Sequence, residues 1–114
     1  MITIKLLEGN RPQALVDRIK TRVGLVGMNE WICDMDGDFT MYHPLWNEEA
    51  WIRSQVIDER IVRFGIISRK DRNVTTELYA VYHSSFAKML LEYFDTEIET
   101  IEISSMPEIG VDLL

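Results

Sequence analysis

Apolar and polar side chains alternate at the start of the chain, with Ile2, Ile4 and Leu6 on one side of an extended segment and Thr3 and Lys5 on the other. That is the strand period, and Glu8-Gly9 closes it. The period then changes. Asn10 offers an N-cap, Pro12 falls in a first helical turn, and Leu15, Val16, Ile19 and Val23 recur at helix spacing. Arg18, Lys20 and Arg22 lie toward the negative end of the helix dipole, and Gly24 supplies a stop. Residues 30–43 read as a hairpin, because Asp36-Gly37 suits a two-residue type I′ turn in which both residues need positive φ. That turn sets Trp31 opposite Tyr42, Ile32 opposite Met41 and Cys33 opposite Thr40. Cross-strand pairs of this kind stabilise a hairpin by about 0.2–1 kcal/mol each.

Beyond Pro44, Asn47 can cap a helix with Glu48 and Glu49 in its first turn and Ile52 and Val56 as its apolar line, Trp51 beside them. Residues 60–70 turn extended again, with Val62, Phe64 and Ile66 on one side. Asp71-Arg72-Asn73 makes a polar turn, and residues 74–82 alternate as a second strand through Leu78, Ala80 and Tyr82. Ser84 or Ser85 can cap a short helix in which Phe86, Leu90 and Tyr93 share a face, joined by Met89 and Phe94. Residues 96–104 hold Ile98, Ile101 and Ile103, and the slip in phase between the first two requires a bulge or burial on both sides.

The predicted order is β-α-β-β-α-β-β-α-β: an α+β fold in two layers, with a mostly antiparallel sheet and helices on one face. Its first six elements follow the order of the split βαβ, or ferredoxin-like, unit. A competing arrangement bends the second hairpin into a separate layer. The pattern predicts one domain over residues 1–104 and a short tail over 105–114, expected to fray rather than to dock Val111, Leu113 and Leu114.

Composition sharpens this picture modestly. A chain of 114 residues, 46% apolar and 27% charged, is long enough for one core and too apolar for intrinsic disorder. No apolar run approaches the roughly 18 residues of a membrane span. The N-terminal segment lacks the pattern of a secretory signal. With a single cysteine, Cys33, no internal disulfide can form, and a cytoplasmic setting is expected.

The net charge of −7 is concentrated at one end, because residues 95–114 carry Asp95, Glu97, Glu99, Glu102, Glu108 and Asp112 without one Lys or Arg. Residues 30–49 are also purely acidic, whereas residues 60–72 hold Arg60, Arg63, Arg69, Lys70 and Arg72 against Asp71. Such a dipolar layout favours solubility and can steer a charged partner or self-association.

Candidate chemistry is sparse. Asp34, Asp36 and Asp38 occupy the first three ligand positions of a calcium loop, but Phe39 stands where the sharp turn needs glycine and Leu45 where the closing glutamate belongs. The expectation is an acidic hairpin tip and no metal. Cys33 sits mid-strand beside an acid, which discourages a thiolate, and reads as a small apolar residue. His43 and His83 cannot build a four-ligand zinc site alone. The basic stretch raises nucleic acid, but residues 38–43, the strand that would offer bases a stacking platform, hold no Arg or Lys. No phosphate loop and no Ser-His-Asp spacing occurs either.

Trp31, Trp46 and Trp51 cluster in sequence, a composition shared by cores and by interface hot spots. These readings predict a non-catalytic protein-binding or regulatory module, with no catalytic residue, cofactor or metal, no nucleic-acid or membrane partner, and a homodimeric state. The expected contact residues are Trp46, Trp51, Asp34, Asp36 and Asp38. Two alternatives stand beside it: an acidic inhibitor or immunity-type protein that masks a basic site on an enzyme, and a small enzyme whose site forms between subunits from His43, His83 or tyrosines.

Overall fold

The computed structural model describes residues 1–25, 30–107 and 112. Along the chain run β1 (Ile2–Leu6), α1 (Pro12–Val23), β2 (Trp31–Cys33), β3 (Phe39–Met41), β4 (Ala50–Val56), β5 (Ile61–Ser68), α2 (Thr76–Phe94), a 3₁₀ turn (Asp95–Glu97) and β6 (Ile98–Ile103). All six strands join one antiparallel sheet in the order β2-β3-β4-β5-β1-β6. The fold is α+β, as the pattern predicts. Ile2, Ile4 and Leu6 of β1, Val62, Phe64 and Ile66 of β5, and Ala50 and Ile52 of β4 share one face, and with the buried stripes of α1 and α2 they form the core.

Two segments differ from expectation, and each exchanges one regular element for the other. The helix expected after Asn47 is strand β4, and the strand expected over residues 74–82 is the first part of α2. The element order is therefore β-α-β-β-β-β-α-β, a four-strand meander that departs from the ferredoxin-like order. Both reversals have one cause: a spacing of four residues fits one helical turn and two strand repeats alike. Ile52 and Val56 meet both templates, and pairing decides between them, since β4 ladders with β5 from Ala50↔Ser68 to Val56↔Val62. Leu78 and Tyr82 are equally ambiguous. Here the buried set Leu78, Tyr79, Tyr82, His83, Phe86 and Leu90 has helical spacing, while Ala80 is exposed. The Thr75 hydroxyl caps the helix by accepting from the Leu78 N–H at 3.1 Å, so Ser84 and Ser85 lie inside it rather than before it.

Helix α1 buries Leu15, Val16, Ile19 and Val23 as predicted, with Pro12 in its first turn and Gly24 at its end. Its N-cap position is Arg11; the Asn10 amide instead bonds the Leu7 carbonyl. The hairpin forms, but one residue out of the predicted register: Trp31 faces Met41, Ile32 faces Thr40 and Cys33 faces Phe39. Only Gly37 takes positive φ (84°), so the connection spans Met35, Asp36 and Gly37 between Asp34 and Asp38, and a two-residue turn does not form. A three-residue loop with glycine in the left-handed position is the next commonest solution in hairpins. The expected slip in β6 is a bulge: Lys5 pairs with Thr100 but Leu6 with Ile98, leaving Glu99 as the extra residue.

Of the tail expected to fray, Asp112 is buried, and its carboxylate accepts the Ile66 N–H at 2.8 Å. Val111, Leu113 and Leu114 lie outside the described residues.

Phe86 of α2 is fully buried and meets Trp31, Phe39 and Phe64 at centroid distances of 5.0, 5.4 and 5.0 Å. It thus ties the helix to three strands. Phe86→Ala is expected to lower unfolding free energy by about 3–5 kcal/mol, read from urea denaturation midpoints at constant m.

Candidate functional site

Strand alternation puts a second set of side chains on the opposite face of the sheet. Trp51 and Ile67, Arg53 and Gly65, and Gln55 and Arg63 are cross-strand partners there, and Thr3 continues the row opposite Arg63. Trp51, Ile67, Arg63 and Thr3 are half-buried, and Arg53 and Gln55 are exposed. Both helices pack on the other side, so among the described residues this face has no covering layer.

A cleft of about 380 Å³ opens at one end of this face. Trp51 and Ile67 lie between its two walls. One wall is the hairpin tip, with Asp34, Asp36 and Asp38; the other is the turn after β5, with Arg69, Lys70 and Asp71. The tip holds itself in place. Asp34 Oδ1 accepts the backbone N–H groups of Asp36 and Asp38, each at 2.9 Å, and the Asp34 N–H donates to the Asp38 carbonyl at 2.8 Å. Asp38 is buried beneath the tip and takes both arms of the Arg53 guanidinium, Nε at 2.9 Å and Nη2 at 2.8 Å. That fork is the geometry in which a carboxylate is held most firmly.

One carboxylate oxygen from each of Asp34, Asp36 and Asp38 lies within 4.8 Å of the others. Two of the three are already engaged, Asp34 by its own loop and Asp38 by Arg53, so only Asp36 presents an uncommitted carboxylate. On the facing wall Arg69 forks onto Asp71 at 3.0 and 3.1 Å, which holds the Asp71 carboxyl below the usual carboxylate range, and Arg72 bonds Glu49 at 2.8 Å. Lys70 is exposed. Among the described residues neither Asp36 nor Lys70 forms an ion pair.

Of the three tryptophans clustered in sequence, only Trp51 reaches this cleft. Trp31 is fully buried, with its ring edge-on to Tyr82 and Phe86. Trp46 packs against the core from the Pro44–Asn47 turn, and its carbonyl accepts from the Tyr82 hydroxyl. Residue spacing alone does not single out Arg53, because its role depends on β4 being a strand. Once residues 50–56 alternate, Trp51 and Arg53 must share a face.

The histidines separate. His43 borders a second cavity, of about 410 Å³, together with Ser84, Ser85 and Lys88. Its Nδ1 accepts the Leu45 N–H at 3.1 Å, so the neutral ring carries its proton on Nε2 and has no lone pair free there to act as a base. Lys88 is bound to Glu92 at 2.9 Å and Glu30 at 3.7 Å. No hydrogen bond between nucleophile and base links these groups among the described residues. Cys33 is half-buried at the hairpin; burial pushes its thiol up, Lys20 opposes this, and Asp34 and Asp38 add to it.

His83 lies elsewhere, buried in a polar cluster that sequence spacing does not reveal. Its Nδ1–H donates to the Tyr79 carbonyl at 2.8 Å, its ring stacks on Tyr79, and its Nε2 accepts from the Met1 amino nitrogen at 2.8 Å. That nitrogen also donates to the Tyr79 hydroxyl and to Ser104 Oγ, and lies 3.3 Å from Asp112. A cationic donor at Nε2 requires the lone pair of the neutral ring. Burial first, and then the positive charge on the Met1 nitrogen, lower the His83 pKa to about 4.

Comparison of the chain with protein-family models, curated proteins and solved structures finds no match.

The lowered His83 pKa fixes a sign for acid stability. Between the ordinary value of 6.5 and about 4 the unfolded chain binds a proton that the native chain does not. Stability from this site is therefore complete above pH 6.5 and drains away as the pH falls to about 4. The full loss is on the order of 3 kcal/mol. Urea midpoints measured between pH 7 and pH 4 should fall for the native chain, and His83→Gln should remove this part of the slope.

Proposed function

We propose that this chain is a non-catalytic protein-binding module whose contact surface is the helix-free face of its sheet, centred on the cleft at Trp51. The observation that carries this reading is the placement of a half-buried tryptophan between an acidic and a basic wall, on a face with no layer over it among the described residues. Trp is favoured where one flat side chain can supply much of a contact, and opposed charges around it fix the orientation of what docks. The surroundings do not favour chemistry. Asp34 and Asp38 of the tip are spent on the loop and on Arg53, and the Nδ1 lone pair of His43, at the second cavity, is engaged by the Leu45 N–H. A cytoplasmic setting suits the module, since its lone thiol has no second cysteine to pair with.

The acidic-inhibitor reading has less support. A surface that masks a basic enzyme site needs several free carboxylates, and here Arg53 covers Asp38 while Arg69 and Lys70 face the tip. A binding surface of mixed sign is what the geometry favours.

Immobilised chain should capture its partner from a lysate of the source cells. Trp51→Ala should weaken that capture roughly thirty-fold, the scale of a hot-spot loss of about 2 kcal/mol. Leu91→Ala, on the exposed side of α2, should leave it unchanged. Thermal melts of both variants check the fold, and equal capture by Trp51→Ala would remove the face from consideration.

A further inference from the structure

We infer that the occupant of the Trp51 cleft is the same cleft of a second copy of this chain, the two related by a two-fold axis; this rests on the reading above that the face binds protein, and it names the partner. In a two-fold contact each residue of one copy meets a complementary residue of the other, and the reverse contact occurs at the same time. A patch can pair with itself this way only if it carries both members of each pair on opposite sides of its centre. The cleft meets that condition. Asp34, Asp36 and Asp38 stand on one side, with Arg53 forked onto Asp38. Arg69, Lys70 and Asp71 stand on the other, with Arg69 forked onto Asp71, and Trp51 and Ile67 lie between. The charges left uncommitted are Asp36 on the first wall and Lys70 on the second. A partner of a single sign would set one of those walls against like charge.

The uncommitted groups point the same way. Asp36 and Lys70, on opposite walls, have no ion-pair partner among the described residues. Turned about an axis through Trp51, a second copy brings its Lys70 toward Asp36 and its Asp36 toward Lys70, giving two equivalent ion pairs at the rim. Met35 completes the pattern. It is 104% exposed, an apolar side chain at the tip of the acidic wall with no neighbour to cover it. In the paired arrangement it meets the partner's opposite wall, where its flexible thioether packs along the aliphatic stems of the partner's Arg69 and Lys70.

Charge exchange tests this directly. The purified full chain, followed by size-exclusion light scattering from low micromolar to near-millimolar concentration, should pass from the mass of one chain to that of two. Added salt should weaken the dimer. Asp36→Lys and Lys70→Glu should each raise its dissociation constant by about tenfold or more, because each sets like charges together at both rims. An equimolar mixture of the two variants should dimerise again. In the mixed pair the introduced lysine meets the introduced glutamate at one rim, while the native Asp36 meets the native Lys70 at the other.

A single-chain mass throughout would overturn the inference. If a Trp51-dependent partner of different sequence were captured in that case, the binding reading would stand without it. A dimer indifferent to both charge variants, or one that the mixture fails to restore, would place self-association on another surface and likewise overturn the inference. Binding untouched by Trp51→Ala would remove both.

Discussion

The fold depends on one-sided burial of a six-stranded sheet, and Phe86 is where that constraint is tightest. Its ring touches aromatic side chains from β2, β3 and β5, so α2 cannot shift along the sheet without losing all three contacts together. Helix α1 covers the rest of the same face through Leu15, Val16, Ile19 and Val23. With both helices committed to one side, the opposite face carries no covering layer among the described residues. Arg53 is exposed and Trp51 and Arg63 only half-buried for that reason, although each sits on a strand in the middle of the sheet.

Elements whose apolar spacing fits a single template are legible in the sequence. β1 alternates cleanly, and α1 repeats at three and four residues between a proline and a glycine. β4 and the start of α2 are not, because Ile52/Val56 and Leu78/Tyr82 lie four apart and satisfy helix and strand alike. Partners distant in sequence settle both: β5 pairs along the whole of β4, and the aromatic cluster draws α2 down through Tyr82 and Phe86. Local propensity is a weak prior against such tertiary terms. The hairpin register fails for a smaller reason. Asp36-Gly37 marks the turn correctly, but Asp34 Oδ1 gathers the N–H groups of Asp36 and Asp38, which favours a loop longer by one residue.

Legibility of the candidate site follows the same line. Asp34, Asp36, Asp38 and Trp51 are visible as residue types, and they do converge. The other half of the cleft, Arg53 with Arg69 and Lys70, belongs to strands and a turn whose pairing no local pattern reveals. The polar cluster at His83 is hidden more deeply, since it joins Met1, Tyr79, Ser104 and Asp112 from separate parts of the chain. Nothing about a histidine flanked by Tyr82 and Ser84 announces a buried neutral ring; helical phase and the meeting of β1 with α2 create it.

The extra residue in β6 bears on how far any assembly can grow. Strand edges invite the addition of further strands without limit, the route to fibrils. One edge of this sheet is β2, only three residues long, which offers little to pair with. The other is β6, whose ladder is broken at Glu99, a side chain held by Lys5 and Arg60, with the exposed acid Glu102 further along. Irregular hydrogen-bond spacing and negative charge together make that rim a poor template for end-to-end polymerisation. Both rims of the sheet therefore disfavour lateral growth, while its helix-free face stays open among the described residues.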